Sequence, residues 1–509
     1  MSFQTRRLRE ERLPRALPAQ KTAATALKTA SPLLTMFRKK PKGTSKGTQK
    51  RITLLKRTAI VLLSLLLALA LLAGMVQILA SLKILNLRNV LGATAAELPA
   101  DANGHTNFLL LGKGDDDHDG TDLTDTIMVA SLDPGKTKSA VLLSIPRDLY
   151  VTGTEKMGKG RVNELYRDYK HQLKQGGMTV EQASQEAMRE LMRELSGKLG
   201  LEIHHGVMVN FSGLVQAVDA LGGIDVDVPY DIVDIEYPGP DYTYETFSIE
   251  AGPRHLDGAT ALKYARSRHT TSDFGRSARQ QQIIQALADN AQKEGLARSP
   301  GKLLSLYRIL AENVETTLST SEMLGAAKMG QELDRSQVVM MQVNDRNGLY
   351  GTIPEAGGLL YNPPRDQFGG AAVLLPVGDS WAQLRLFAQL LLQHRSAYLS
   401  PSSVAILNAG AKAGLANRLG AELIRYGFSV ERIENAAGDK RDTSAVLPLH
   451  ELDQPVASFF STLLKLPLEP APAPTEQLPE DQVQQERVTI LLGKDFTYSP
   501  LTALLPATP

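Results

Sequence analysis

The chain of 509 residues contains no cysteine. That absence excludes disulfides, thiolate nucleophiles and cysteine-based zinc or iron–sulfur centres. Net charge is almost absent too, at +1. Familiar catalytic signatures are missing: there is no H-E-x-x-H and no G-x-x-x-x-G-K-[ST], and Gly112-Lys113-Gly114 lacks the spacing of a nucleotide fingerprint. No tandem repeat is visible. With 43% hydrophobic and 22% charged residues the composition is that of globular protein, and the length predicts two or three folded units.

The near-zero charge hides an asymmetry. Residues 1–57 carry 16 Lys and Arg but only Glu10 and Glu11, a balance of +14, so the remainder stands at −13. The tail is rich in Lys, Ser, Thr, Gly and Pro, which predicts disorder, and its basic cluster suits anionic lipid better than nucleic acid because no aromatic residues interleave it. Residues 58–80, TAIVLLSLLLALALLAGMVQILA, hold no charge over 23 positions. As a helix that run is about 35 Å long, enough for a hydrocarbon core of about 30 Å. A cleaved signal peptide fits less well, because the run is long, starts late and has no A-x-A site after it. Basic residues precede the span and are sparse beyond it. The positive-inside rule then predicts a single-pass membrane protein with a cytoplasmic N-terminus and residues 81–509 outside the cell.

Beyond a stalk over 81–105, the texture is α/β. NFLLLG (107–112), DTIMVASL (125–132) and SAVLLSI (139–145) read as buried strands, with the hairpin connection DPGKTK (133–138) between the last two. Helical spacing follows at 178–199, with a Thr179–Gln182 capping box, and near 211–221. Gly222–Gly223 turns into the strand IDVDVP (224–229). QQIIQALADNAQ and KLLSLYRILAENV read as helices, 334–345 as a strand, 357–370 as loop and 379–393 as a helix. A second, small α/β unit spans 401–500: strand SSVAILNAG, helix ANRLGAELIRYGF, strand SVERIENA and strand ERVTILLGKDF, interrupted by a Pro/Glu-rich loop at 466–482.

Three stretches carry chemistry. YARSRHTTSDFGRSARQQ (264–281) joins a helix ending near Ala265 to one starting near Gly275–Arg276, with Asp273 as N-cap. Arg276 and Arg279 then sit in a first turn, where the helix dipole disfavours cations. Arg266 and Arg268, two apart in extended chain, point one way. The planar, bidentate forks of these four arginines suit a phosphate or diphosphate; a solvated basic loop paired with acids fits the same spacing. In SIPRDLYV (144–151) a strand ends on Arg147 and Asp148, at a usual place for ligand residues. GKGDDDHDGTDLTDTI (112–127) has six acids and a histidine. Asp115, Asp117 and Asp119 begin like a calcium loop, but the twelfth position is Thr126, which excludes an EF-hand and leaves one or two carboxylates, Asp125 the best placed, for a hard divalent cation. GRVNEL (160–165) adds Arg161 and Asn163. His204–His205 reads as structural.

Together NFLLLG, DTIMVASLDP, SIPRDLYV, RVNELY, VNFSGLVQAVDALGGIDVDVP and HLDGATALKYARSRHTTSDFGRSARQQ resemble the LytR-CpsA-Psr family of bacterial cell-envelope proteins, over about residues 105–295. Residues 403–430 with ILLGKDF resemble its LytR-type C-terminal domain. The resemblance implies a catalytic domain over 106–395 with a mixed central sheet between helices and an apolar tunnel for a lipid. It implies a phosphotransferase that moves a glycopolymer, such as teichoic acid or a capsular chain, from undecaprenyl diphosphate to peptidoglycan. Arg147, Arg266, Arg268 and Arg276 would hold the diphosphate; Asp125, with Asp115, would hold Mg²⁺; Arg161, Asp273, Arg279 and Gln280 would line the same site. This chain departs from the family twice: Gly114 stands where many members have aspartate, with Asp115 adjacent, and Leu123 where many have arginine. A polyprenyl-diphosphate hydrolase and a non-catalytic envelope-binding or regulatory protein are the alternative functions.

Overall fold

The computed structural model describes residues 96–115, 120–239, 243–267, 273–293, 313–334, 337–343, 358–399, 403–471 and 486–504. The basic tail, the span at 58–80, residues 81–95 of the expected stalk, Asp117, Asp119, Arg268 and nearly all of the helix expected at KLLSLYRILAENV lie outside these. Among the described residues no helix is long and apolar enough to cross a membrane.

The chain enters a central sheet as β1 (Thr106–Lys113), β2 (Thr124–Asp133) and β3 (Ser139–Ser144), then forms α1 (Val162–Gln175), α2 (Val180–Leu199), β4 (His205–Asn210) and α3 (Phe211–Ala220). After two short strands and a hairpin come α4 (Gly258–Arg266), α5 (Asp273–Lys293), β5 (Val314–Thr316), α6 (Thr320–Glu332), β6 (Val338–Gln342) and α7 (Ala382–Gln393). The six strands lie in the order β5-β4-β1-β2-β3-β6. β1–β2, β2–β3 and β5–β4 are antiparallel; β1–β4 and β3–β6 are parallel. The fold is thus mixed α/β.

Alternation along the strands divides two layers of core. Leu109, Leu111, Val129 and Leu143 face α1, α2 and α7, whereas Phe108, Leu110, Met128 and Leu142 face α3 to α6. Because both faces are covered, the strands read as unbroken apolar runs rather than alternating ones. Local signals set the helix ends. Thr179 and Gln182 form the expected capping box, Gly200 ends α2 at φ 65°, and Asn210 and Asp257 cap α3 and α4. Gly258 lets α4 close on α3, since a Cβ there would stand 2.2 Å from the Val215 carbonyl oxygen.

Four corrections follow. Residues 96–105 are not stalk: the Ala96 N–H donates to the Ser321 carbonyl at 2.9 Å and Leu98 is buried beneath α6. Ile232–Pro238 and Tyr244–Ile249 form a hairpin absent from the sequence reading. The small unit contains β7 (Ser403–Asn408), α8 (Leu415–Arg425), β8 (Ser429–Asn435) and β10 (Glu486–Leu492) as expected, but also β9 (Ala445–Pro448) and α9 (Gln454–Leu464), in sheet order β8-β7-β10-β9. The start of the Pro/Glu-rich segment is no loop, because Pro467 and Glu469 bond Val446 of β9. β9, at four residues, is too short to show a period.

The two units share one core: Leu384 and Phe387 of α7 pack with Val404, Leu423 and Phe460. Beneath the β2–β3 turn, Arg395 is buried and donates to the Ser131 hydroxyl at 2.7 Å. His105, next to it, is 4% exposed; burial and the Arg395 charge push its pKa down to about 4, outweighing Asp101 and Asp133. Burial likewise pushes His205, which packs on Phe108, down to about 4. Both take up a proton near 6.5 when unfolded but only near 4 when folded. Folding stability is therefore complete above pH 6.5 and is lost as pH falls toward 4, at up to about 1.4 kcal/mol per pH unit for each imidazole. Thermal unfolding between pH 7 and 4.5 checks this. The wild type is expected to lose stability steadily, and the His105→Asn/His205→Gln variant to show a flatter profile; a flat wild-type profile contradicts it.

Candidate active site

The top edge of the sheet collects the ends of β1, β3, β4 and β6 and the start of β2, at the carboxyl ends of strands where ligands bind in such folds. Two cavities open there. A polar cleft of about 270 Å³ is lined by Asp125, Arg147, Asp148, Arg276 and Gln280, among others. An apolar channel of about 130 Å³ runs between Leu110, Met128, Phe211, Leu214, Ile283 and Leu287, with Arg266 and Lys113 also in its wall. Thr126 and Gln280 line both, so the two are adjacent compartments.

Arg147 leaves β3 after Pro146 and its Nη1 donates to Asp125 Oδ1 at 2.9 Å. Asn163, 1% exposed at the start of α1, donates to the same oxygen at 3.3 Å. Asp125 is thereby oriented from two sides at the cleft wall. Arg266, the last residue of α4, lays its guanidinium 4.6 Å from the Phe211 ring centroid and 5.5 Å from that of Tyr237, and donates to the Tyr237 hydroxyl at 3.3 Å. Cation–π contact holds a charge at the end of an apolar channel without neutralising it. Arg276 is buried in the first turn of α5 and lines the cleft.

Other candidates are placed differently. Arg279, three residues beyond Arg276, lines neither cavity. It is 2% exposed; its Nε donates to the Tyr264 carbonyl at 2.9 Å and its Nη2 to that of Ser267. A cation there satisfies carbonyls at the C-terminal end of α4, which fixes the residue after Arg266. Arg161 also lines neither cavity. Its side chain donates to Glu164 at 2.6 Å and Asp148 at 3.4 Å, and its backbone N–H donates to Glu164 at 3.2 Å, at the start of α1. Asp115 holds Ser212, accepting from its N–H at 2.9 Å and its hydroxyl at 2.8 Å, and so anchors α3. Asp273 opens α5 as its first helical residue rather than preceding it; its side chain lies outside the described residues, like Arg268. Among the described residues no three His, Cys, Asp or Glu side chains gather into a metal cluster.

One group escaped the sequence reading. Lys113, 6% exposed, bridges Asp122 and Glu315 at 3.0 Å each, and Lys170 of α1 reaches Asp122 at 2.7 Å. Tyr166 donates to Glu315 at 3.2 Å. Burial opposes the charges of Lys113 and Asp122, yet their partners win: the Lys113 ammonium is held well above its usual range by Glu315 and Asp122, and Asp122, at φ 66°, below the usual carboxylate range by Lys170 and Lys113. A register shift at Gly112/Lys113 redirects this side chain, and Gly112 is needed because a Cβ would meet Thr126 at 2.9 Å. The only sequence signal was the Gly-Lys pair at a strand end.

A polar compartment carrying two guanidinium groups and two carboxylates thus lies beside an apolar one. The chain belongs to the LytR_cpsA_psr family, whose sequence profile matches residues 85–361; residues 402–496 match the LytR_C domain, described as LytR cell envelope-related transcriptional attenuator. Among curated relatives, the cell wall biosynthesis protein LcpA of Corynebacterium glutamicum is 28% identical over 72% of this chain and 71% of its own. The polyisoprenyl-teichoic acid–peptidoglycan teichoic acid transferase TagU of Bacillus licheniformis is 28% identical over 49% of this chain and 74% of its own. TagV of Bacillus subtilis, a transferase of the same description, is 33% identical over 39% of this chain and 46% of its own.

Proposed function

We propose that the protein is a membrane-anchored phosphotransferase that moves an anionic glycopolymer from an undecaprenyl-diphosphate carrier to cell-wall peptidoglycan. The observation that carries this is the junction of the two cavities at Thr126 and Gln280. A lipid diphosphate needs apolar walls for its tail and guanidinium groups for its head, side by side. The activities in the names of the relatives point the same way. In this reading the apolar run at 58–80 anchors the chain and residues 81–509 work outside the cell, next to both substrates.

The acceptor hydroxyl oxygen bonds to the phosphorus that carries the glycan, and the bond from that phosphorus to the lipid phosphate breaks. Lipid monophosphate leaves. Arg147 and Arg276 face the charge that grows on the leaving group, and Arg266 holds the end nearest the tail, with Arg268 in the same stretch. Asp125 is the carboxylate at hand for the hydroxyl proton. Mg²⁺ fits the donor set as a one-carboxylate site: Asp125 beside Thr126 suits a cation that takes one or two carboxylates and fills its shell with phosphate oxygens and water. When bound it supplies Lewis-acid neutralisation of the diphosphate. Asp115 is occupied with Ser212, so it is a poorer second ligand.

Product analysis tests the reading. Full-length protein in detergent, given lipid-diphosphate-linked polymer and peptidoglycan, is expected to yield polymer bound to peptidoglycan as an acid-labile phosphodiester. Free polymer without adduct would make the protein a hydrolase, and unchanged donor a binding protein.

A further inference from the structure

The polar cleft has a wall to which the diphosphate reading assigns no task. One side is charged, with Asp125, Arg147 and Arg276. The rest of the lining includes two neutral amides, Gln342 at the end of β6 and Asn362, together with Val373 and Leu374. Asn362 and residues 372–374 belong to a lobe that begins where the first family match ends, at 361, and closes well before the second begins, at 402.

That lobe is built, not loose. Leu360–Tyr361 pairs antiparallel with Leu375–Pro376, and the Val377 N–H donates to the Leu359 carbonyl at 3.0 Å. Its return strand is clipped to the stretch that carries Arg147: the Leu374 N–H donates to the Asp148 carbonyl at 2.9 Å, and the Leu374 carbonyl accepts from the Tyr150 N–H at 2.8 Å. Phe368 stands edge-on to Tyr150 with ring centroids 4.9 Å apart. Gln342 is placed by register opposite Ser144, at the end of the strand that leads to Arg147. The neutral wall and the clamp therefore share one backbone frame.

We infer that Asn362 and Gln342 form a neutral sugar subsite, which binds hydroxyl groups of the pyranose next to the reacting phosphate. The inference rests on the transferase reading and deepens it. Guanidinium groups match phosphate, but a sugar hydroxyl is donor and acceptor at once, and a side-chain amide offers both roles from one group. Topology selects the same ligand. With the tail in the channel and the diphosphate at the junction, the cleft is the compartment left for whatever lies beyond the phosphates. In-line displacement brings the attacking hydroxyl from the side opposite the leaving lipid phosphate, and so through the same cleft. The sugar is then either the first of the donor polymer or that of the acceptor.

The test uses full-length protein in micelles with two probes, farnesyl diphosphate and farnesyl-diphosphoryl-N-acetylglucosamine, and a soluble peptidoglycan fragment as acceptor. Asn362 is exposed, so Asn362→Ala keeps the fold; Gln342→Ala is the second variant. The double variant is expected to bind farnesyl diphosphate within twofold of wild type and the sugar-bearing probe about tenfold more weakly, the loss of two modest hydrogen bonds. Unchanged probe binding with a tenfold rise in acceptor KM also supports the subsite and assigns it to the acceptor. Equal weakening of both probes, or no change in any constant, overturns it. A wild type that binds farnesyl diphosphate but gains nothing from the sugar, with acceptor KM unchanged in the double variant, overturns the subsite alone; a wild type that binds neither probe overturns the transferase reading as well.

Discussion

Alanine at Arg276 or at Arg147 is expected to cut transfer from a lipid diphosphate by about 10²–10³-fold, the usual effect of removing one donor aimed at developing charge. The two variants differ in their effect on the fold. Arg276 lies in the first turn of α5, where the helix dipole disfavours a cation, so its loss is expected to leave stability unchanged or to raise it by a few tenths of a kcal/mol. A residue that costs stability and lines the cleft is placed for function, not for folding. Arg147→Ala removes the 2.9 Å ion pair of Asp125, so that carboxylate loses its orientation as well as the clamp a charge. Adduct formation with radiolabelled donor, alongside thermal unfolding, reads both effects. Full transfer in both variants would remove Arg147 and Arg276 from the site.

Lys113→Met is expected to cost stability more than any surface change, about 1–3 kcal/mol, because it leaves the half-buried Glu315 and Asp122 together, with Lys170 bridging Asp122 alone among the described bridges. The surviving cluster would carry a net negative charge behind the channel wall that Lys113 lines, so a lipid diphosphate is expected to bind more weakly too. Urea unfolding measures the first effect and farnesyl diphosphate binding the second. Adding Glu315→Gln restores the charge balance and is expected to recover part of both losses, as coupled neighbours do in a double-mutant cycle. If Lys113→Met unfolds at the wild-type urea midpoint, the cluster contributes nothing and this reading fails.

Much of the fold was legible because its causes are local. The hairpin at 133–138 was, because Asp133 accepts from the N–H groups of Lys136 and Thr137 and so builds the turn from its own neighbours. α2 was, because Thr179 and Gln182 cap it within one turn. The site was legible only in part. Arg276 and Arg279 look alike in sequence, three apart on one helix. One lines the cleft and the other is spent on the carbonyls of Tyr264 and Ser267 at the end of α4, a tertiary contact that spacing does not encode. Arg161, at a family motif position, pairs with Glu164 and Asp148 at the start of α1 instead of lining the cleft. The hairpin over 232–249 escaped because its register shift between Asp234 and Tyr237 breaks the alternation that would have marked a strand.

The sequence by itself determined that the chain has no thiol chemistry, carries one uncharged run long enough for a bilayer, builds an α/β sheet, and concentrates arginine where a helix start disfavours it. Those are properties of composition and of neighbours along the chain. Only the tertiary structure decided that Thr126 and Gln280 join a polar cleft to an apolar channel, that Lys113 meets Glu315, and that Asn362 shares a cleft with Arg147. Each of these brings together residues far apart in the chain, and no local preference encodes such a pairing. The packing of both faces of one sheet does.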